Sequence, residues 1–394
     1  MNIDIVLAII FYLALLIFFF FQKDKFEVKS KILFIYKTKI GINLMDKIAK
    51  KFRFILKPLS YLSIFIGFAG MALILFILFK GTFELIFVPN SQPALAPVLP
   101  GVKVPGLPSL SFWHWIISIF IVALVHEFSH GVFARLFSLK VQSSGFLFLG
   151  PILGAFVEPD EKKLEKSPKR QQLAILSAGP FSNIALAFII LLIINFVSAP
   201  IQNKILDFES LQVNKLISDY PAAKQNIPVP FILKSINNKE IKNISEFIMI
   251  TDIIKPNEKL TLETDKGNFN LITVQNPNNA SRGFIGISDF KINTKLKPDI
   301  NKNLGNFLLW FFELIFWLFT VNLGIGLFNL LPLGPIDGGR MFLVLSSIIF
   351  KEEEKAKKFW SSISIFLLII IFINLLPFLI KLFNFLLKPF LSLI

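Results

Sequence analysis

Ile121-Val-Ala-Leu-Val-His-Glu-Phe-Ser-His-Gly131 is the stretch from which the rest of the chain is read. It sets His126, Glu127 and His130 in an HExxH arrangement, inside a run otherwise apolar enough to cross a bilayer. Imidazoles at i and i+4 leave one face of a helix, so both can reach a single metal ion. The glutamate between them stands beside the water such an ion would polarise. Ionisable groups in hydrocarbon are costly unless they serve one another or a bound ion. Spacing and setting together point to a zinc site buried in a membrane; the plainer alternative is a self-satisfied buried pair.

Composition fits that setting. Of 394 residues, 54% are hydrophobic and only 17% charged, and phenylalanine alone contributes 47. Several apolar runs reach the roughly 20 residues that cross about 30 Å of hydrocarbon. With no cysteine in the chain, disulfides and thiolate ligands are excluded, so zinc must be held by imidazole and carboxylate. The net charge of +15 does not imply nucleic acid, because its placement accounts for it. Residues 22–60 carry 11 Lys/Arg against 3 acids and residues 135–170 carry 7 against 4. Both stretches flank apolar spans, as positive-inside loops do.

Taken in order, residues 1–110 hold two spans, at 4–21 and Tyr61–Phe79, with the basic segment between them in the cytoplasm and the N-terminus outside. Within that segment Ile40–Lys57 has the spacing of a basic amphipathic helix able to lie on anionic headgroups. An external loop with six prolines follows at 88–110. Residues 111–199 form a first catalytic membrane half: the motif helix Ser111–Phe137, a hairpin over Lys140–Pro159 marked by Ser-Ser-Gly, Gly-Pro and Leu-Gly-Ala breaks, and a span at Gln171–Ser198. Non-helical backbone at membrane depth is tolerated only where it is buried or lines a cavity, so the hairpin reads as a flap beside the metal site.

Residues 200–305 change character, with 14 basic and 11 acidic residues. Strand-like runs at Phe231–Ile236, Lys259–Thr264 and Asn268–Val274 are separated by turn signals. This segment is expected to be a small β-rich domain outside the cell. Residues 306–350 form a second catalytic half, whose span ends in Asn329-Leu-Leu-Pro-Leu-Gly-Pro-Ile-Asp-Gly-Gly-Arg340. Residues 351–394 add a sixth span, Phe359–Leu376, and a tail that could lie on the membrane surface. The expected fold is a polytopic α-helical membrane protein of about six spans with an inserted β-rich domain.

Two histidines leave a catalytic zinc short of one protein ligand. The intramembrane acids available are Glu313, Asp337 and, near the edges, Glu84 and Glu158. Asp337 is favoured because the broken helix lets its carboxylate turn toward a neighbour; its plain reading is a capping residue of an Asp-Gly turn. Glu127 would then serve as general base. Asn329 is a candidate oxyanion donor, or only a helix-end cap. His114, the third histidine, lies about three turns from His126 and reads as an interface residue.

These residues resemble the site-2 proteases, intramembrane zinc metalloproteases. His126-Glu-Phe-Ser-His130 is similar to their first metal motif, and Asn329 with Pro335 and Asp337-Gly338 to their second. Ala178-Gly-Pro-Phe-Ser-Asn183 resembles their Gly-x-x-x-Asn element, and Gly154-Ala-Phe-Val157 the hairpin after HExxH. The resemblance implies one zinc ion held by His126, His130 and Asp337, with Glu127 as base, Asn329 as transition-state helper, and Asn183 and Pro335 in support. It also implies transmembrane protein substrates, including ones already cut by another protease, and an active site toward the cytoplasmic side of the cell membrane. Tyr220-Pro-Ala-Ala-Lys-Gln-Asn-Ile227, with Ile232–Asn237 and Ile241, resembles a PDZ stretch, though Val229-Pro230 replaces the usual Gly-Asp. Such a domain would capture a peptide or exclude bulky ectodomains. The rival reading is a zinc-binding membrane scaffold or receptor that does not cut; Glu127 argues against it, since a structural site needs no base. Oligomeric state is not written in the sequence.

Overall fold

The computed structural model describes residues 3–22, 26–29, 33–88, 91–102, 104, 107–149, 152–277 and 279–391. Gly150 and Pro151, within the expected hairpin, and the first two residues lie outside them. Met1–Ile194 with Phe312–Ile394 form one compact unit, and Asn195–Phe311 a second.

The first unit begins with the apolar helix α1 (Ile3–Gln22), followed by strands β1 (Phe26–Lys29) and β2 (Leu33–Thr38). Helices α2 (Ile42–Lys51) and α3 (Arg53–Phe87) come next. The basic segment therefore differs from its expected form. Its aromatic and β-branched run Leu33–Thr38 is a strand, and the amphipathic stretch is two helices parted at Phe52. Helix α3 buries a stripe of small residues, Ser60, Ser63, Gly67 and Gly70, which lets neighbouring helices approach where lipid offers no hydrophobic drive. Phe54, Phe65 and Phe76 face outward from it.

Helix α4 (Phe112–Leu136) starts at Ser111, whose hydroxyl accepts the His114 N–H and bonds the His114 ring at Nδ1. His114 is thus a satisfied helix-start residue. After α4 the chain turns back in strands β3 (Val141–Leu149) and β4 (Ile152–Pro159). They join the two earlier strands in an antiparallel sheet of order β1-β2-β3-β4, Thr38 opposing Ser144 and Ser144 opposing Val157. In consequence β4 is an edge strand, packed against α4. The short helix α5 (Glu161–Lys166) is capped by Asp160 and leads into α6 (Lys169–Ile193). A π-helical turn, Ile194–Ser198, follows.

The second unit contains α7 (Ala199–Ile205), β5 (Leu206–Leu216), α8 (Pro221–Lys224), β6 (Phe231–Ile236), β7 (Lys239–Glu240) and α9 (Ile244–Ile253). Strands β8 (Lys259–Thr264), β9 (Gly267–Ile272), β10 (Val274–Asn276), β11 (Asn279–Phe284) and β12 (Ile287–Leu296) complete it. The main sheet runs β12-β5-β6-β8-β9 with β7 beside β6, all antiparallel. Alternation along β5, β6 and β8 sends Leu211, Val213, Phe231, Leu233, Leu260 and Leu262 into one core. The run expected over Asn268–Val274 is interrupted at Thr273, fully buried, whose hydroxyl donates to the Lys255 carbonyl and accepts the Glu258 N–H. Asp265, in the β8–β9 turn, accepts the Ile232 N–H at 2.6 Å, and that bond holds its carboxyl below the usual range.

The chain ends in α10 (Lys302–Phe328), α11 (Asp337–Ile349) and α12 (Glu353–Leu391). Helix α12 is unbroken, so residues 377–391 continue the same helix and do not form a separate one. Helix-forming Leu, Ile, Phe and Lys flank Pro377, and no glycine follows to end the helix. Among the described residues five helices are long and apolar enough to cross a membrane, within Arg53–Phe87, Phe112–Leu136, Lys169–Ile205, Lys302–Phe328 and Glu353–Asn384. Ala8–Phe21 is a shorter apolar stretch. The protein is a multi-pass membrane protein with a β-rich domain.

Candidate metal centre

Helix α4 turns the side chains of His126 and His130 to one side, one helical turn apart. Both rings point their Nε2 atoms at Asp337, which arrives on a different element. His126 Nε2 lies 2.9 Å and His130 Nε2 3.2 Å from Asp337 Oδ2, and the two Nε2 atoms are 3.2 Å apart. Ligands around a tetrahedral zinc, each about 2.0–2.1 Å from the ion, stand about 3.3 Å from one another. Two of the three separations nearly match that spacing and the third is shorter, and the three residues form a group able to hold a metal ion.

The far side of each imidazole is also occupied. His130 Nδ1 is 2.7 Å from the Ile175 carbonyl, so it must carry the proton and donate, which leaves the Nε2 lone pair free. His126 Nδ1 faces the Asn183 amide, with Nδ2 at 3.1 Å, while Asn183 Oδ1 is buried without a hydrogen bond. A half-turn of the amide lets Oδ1 accept from Nδ1–H, and His126 then offers Nε2 as well. Asn183 is completely buried, one turn along α6 from Gly179.

Gly179 makes this approach possible. A Cβ there would sit 2.6 Å from His126 Nε2 and closer still to His130 Nε2. Only a residue without one lets α6 lie against the ligand atoms.

The carboxylate of Asp337 is placed by a break between α10 and α11. Gly334 is left-handed (φ +45°), and Pro335 stands exposed beside it in the turn. The Asn329 carbonyl accepts the Gly338 N–H at 2.7 Å, tying the end of α10 to the start of α11. A Cβ on Gly338 would run into the Leu330 and Leu331 carbonyls. Asp337 is the first residue of α11, where a negative charge meets the positive end of the helix dipole. The Asn329 side chain makes no hydrogen bond among the described residues; only its backbone does.

Glu127 reaches β4, where its Oε2 accepts the Val157 N–H at 3.1 Å. Arg135 and Asp46 form an ion pair that fastens α2 to the last turn of α4. Of the acids weighed as third ligands, Asp337 is the one that joins the histidines; Glu158 instead accepts from Ser143 and pairs with Lys37.

The pattern of peptidase family M50 matches residues 114–371, from the start of the HExxH helix into α12. The chain belongs to peptidase family M50. This is the site-2 protease family, and both ligand-bearing segments lie within the match. Among relatives, an uncharacterized protein of Methanocaldococcus jannaschii is 26% identical over 377 residues, covering 92% of this chain and 91% of its own. A Clostridium perfringens protein named "Putative zinc metalloprotease CPE1693" is 24% identical over 300 residues, covering 62% of this chain and 85% of its own. A Fusobacterium nucleatum protein of the same description is 24% identical over 307 residues, 64% of this chain and 89% of its own. Zinc is the metal that this membership implies, and the donor set fits it: two imidazole nitrogens and a carboxylate oxygen, each aimed inward.

Sequence reasoning could not see the backbone members of the M50 centre. The Ile175 carbonyl and the Val157 N–H belong to no residue type. Gly179 carries a signal only as the first position of the Gly-x-x-x-Asn element.

Proposed function

We propose that this M50 protein is an intramembrane zinc endopeptidase that hydrolyses peptide bonds in or near transmembrane segments of membrane-protein substrates. One observation carries the reading: His126, His130 and Asp337 bring three ligand atoms to within 2.9–3.2 Å of one another, with Glu127 next in sequence to one of them. His126 and His130 would hold zinc through Nε2 and Asp337 through Oδ2. When bound, zinc acts as a Lewis acid that brings the pKa of a water down to about 7. Glu127 takes a proton from the attacking water as its oxygen bonds to the scissile carbonyl carbon. It returns that proton to the amide nitrogen as the C–N bond breaks. Asn329 is assigned to the oxyanion, which requires its free side chain to turn toward the substrate. Asn183 orients His126, and Pro335 shapes the turn that presents Asp337.

The basic residues at 22–60 and 135–170 support an orientation with those segments in the cytoplasm. The α4 and α10 helices then run inward, with the centre toward the cytoplasmic side and the β-rich unit outside. That unit reads as PDZ-like, from a short helix at Pro221 followed by a strand and an Asn237-Asn238 turn. Its roles would be peptide capture or exclusion of bulky ectodomains.

The test uses purified protein and a helical membrane segment as substrate. Wild type should cut it, and Glu127→Gln should cut about 10²–10⁴-fold more slowly with zinc content unchanged. Equal rates would remove Glu127 from the chemistry. Zinc bound with no cutting by wild type would favour the scaffold reading.

A further inference from the structure

A cavity of about 440 Å³ opens beside Glu127, where α2, α4 and the β3–β4 hairpin meet. Leu44 and Met45 of α2, Phe128 of α4, Phe146 of β3, and Phe156 and Val157 of β4 supply its apolar walls. Glu127 is its one ionisable lining residue among the described residues, and none of the three candidate metal ligands borders it. Met45 is buried at the base, while Leu44 is 53% exposed at the rim.

The position of Glu127 says which part of a substrate would lie there. In the proposed reaction Glu127 passes its proton to the nitrogen of the broken peptide bond. The residue that owns this nitrogen is the one on the C-terminal side of the cut. Its side chain then stands on the Glu127 flank of the centre, and the cavity that Glu127 lines, which none of the three donors borders, opens on that flank. A volume of about 440 Å³ holds a branched or aromatic side chain, and a charged one would meet no ionisable partner but Glu127.

We propose that this cavity is the pocket for the side chain following the scissile bond, that it takes a bulky apolar residue of the leucine or phenylalanine class, and that α2 sets its size through Leu44 and Met45. This rests on the endopeptidase reading. Both α2 residues precede the stretch matched by the family pattern, which begins at residue 114. Selectivity is thus assigned to a segment outside the matched region. The ion pair between Asp46 and Arg135 keeps that segment against the motif helix.

The experiment uses the full-length protein in detergent and a transmembrane peptide whose cut site is mapped by mass spectrometry. The residue after the cut is set to alanine, leucine or phenylalanine. Wild type should favour leucine over alanine in kcat/KM by at least about tenfold, the worth of a filled apolar pocket. Leu44→Trp, which narrows the mouth, should lower the ratio of phenylalanine to leucine; Leu44→Ala should raise that same ratio. Opposite shifts from one position are not produced by general damage, and zinc content and thermal transition serve as fold controls. Ratios that do not move, or a preference that moves for the residue before the cut, would overturn the proposal. The same peptides are also titrated onto the Glu127→Gln protein by fluorescence. If wild type cuts nothing, the endopeptidase reading fails. The pocket is then judged by binding alone: apolar preference changed by Leu44→Trp supports it, and equal binding of all three peptides sinks it.

Discussion

The two halves of the candidate metal centre are built by opposite means. On α4 two ligands are delivered by an unbroken helix, whose period alone puts His126 and His130 on one face. On the other side one ligand is delivered by an interruption, because the chain leaves helix between Phe328 and Asp337 and re-enters it at the carboxylate. A periodic arrangement survives wherever the helix survives. The interrupted one depends on backbone packed against backbone around Gly338, with no side chain to absorb a misfit. The first half is therefore robust and the second is exacting.

The largest expected effect tests whether the second half is needed at all. Asp337→Asn should reduce zinc affinity by at least about 100-fold, more than outer-shell changes cost, and abolish cutting. Zinc content measured after dialysis checks it, and unchanged content would detach α11 from the centre.

Two glycine substitutions then separate the halves. Gly338→Ala forces a Cβ into the Leu330 and Leu331 carbonyls and should cost about 1–3 kcal/mol of stability. Gly179→Ala directs its Cβ at the ring atoms of His126 and His130. It should weaken zinc binding with a smaller loss of stability, since rings can shift where backbone cannot. Thermal unfolding and zinc titration on the same samples distinguish the two. If both variants lose only stability, α6 does not shape the metal site.

Asn183→Ala should lower zinc affinity by about 10–100-fold, the usual worth of a group that orients a ligand histidine. Asn183→Asp should recover part of it, because a carboxylate can also accept from Nδ1–H.

The smallest effect lies in the β-rich unit, away from the metal. Asp265 has a folded pKa below its unfolded value of about 3.9. Its contribution to stability is therefore present above that unfolded value and fades as pH falls through the folded one. The melting transition of this unit should drop in acid, and Asp265→Asn should lower it at neutral pH and flatten that part of the profile.

Much of this was legible in the sequence, for specific reasons. HExxH declares its own geometry, because i and i+4 on a helix share a face. The strands β6 and β8 coincide with the runs at Phe231–Ile236 and Lys259–Thr264, where alternation writes burial into the residue order. The strands at Phe26–Lys29 and Leu33–Thr38 were less legible: aromatic and β-branched residues mark the second, but lysines on both sides give the stronger pattern. The continuity of α12 past Pro377 was hidden because a proline inside a helix and one that ends it look alike until neighbours are known.

The sequence by itself determined which side chains could serve a metal: three histidines, no cysteine, and few acids among apolar spans. It also determined that the chain crosses a membrane, since the length of an apolar run is a local property. Only the tertiary structure brought Asp337 within 3.2 Å of both imidazoles across some 200 residues. Only it aimed Nε2 inward through a carbonyl and an amide on α6, and brought α2 to the wall of the cavity beside Glu127. These are distances between segments remote in sequence, fixed by how closely backbones can pack, and no single segment encodes them.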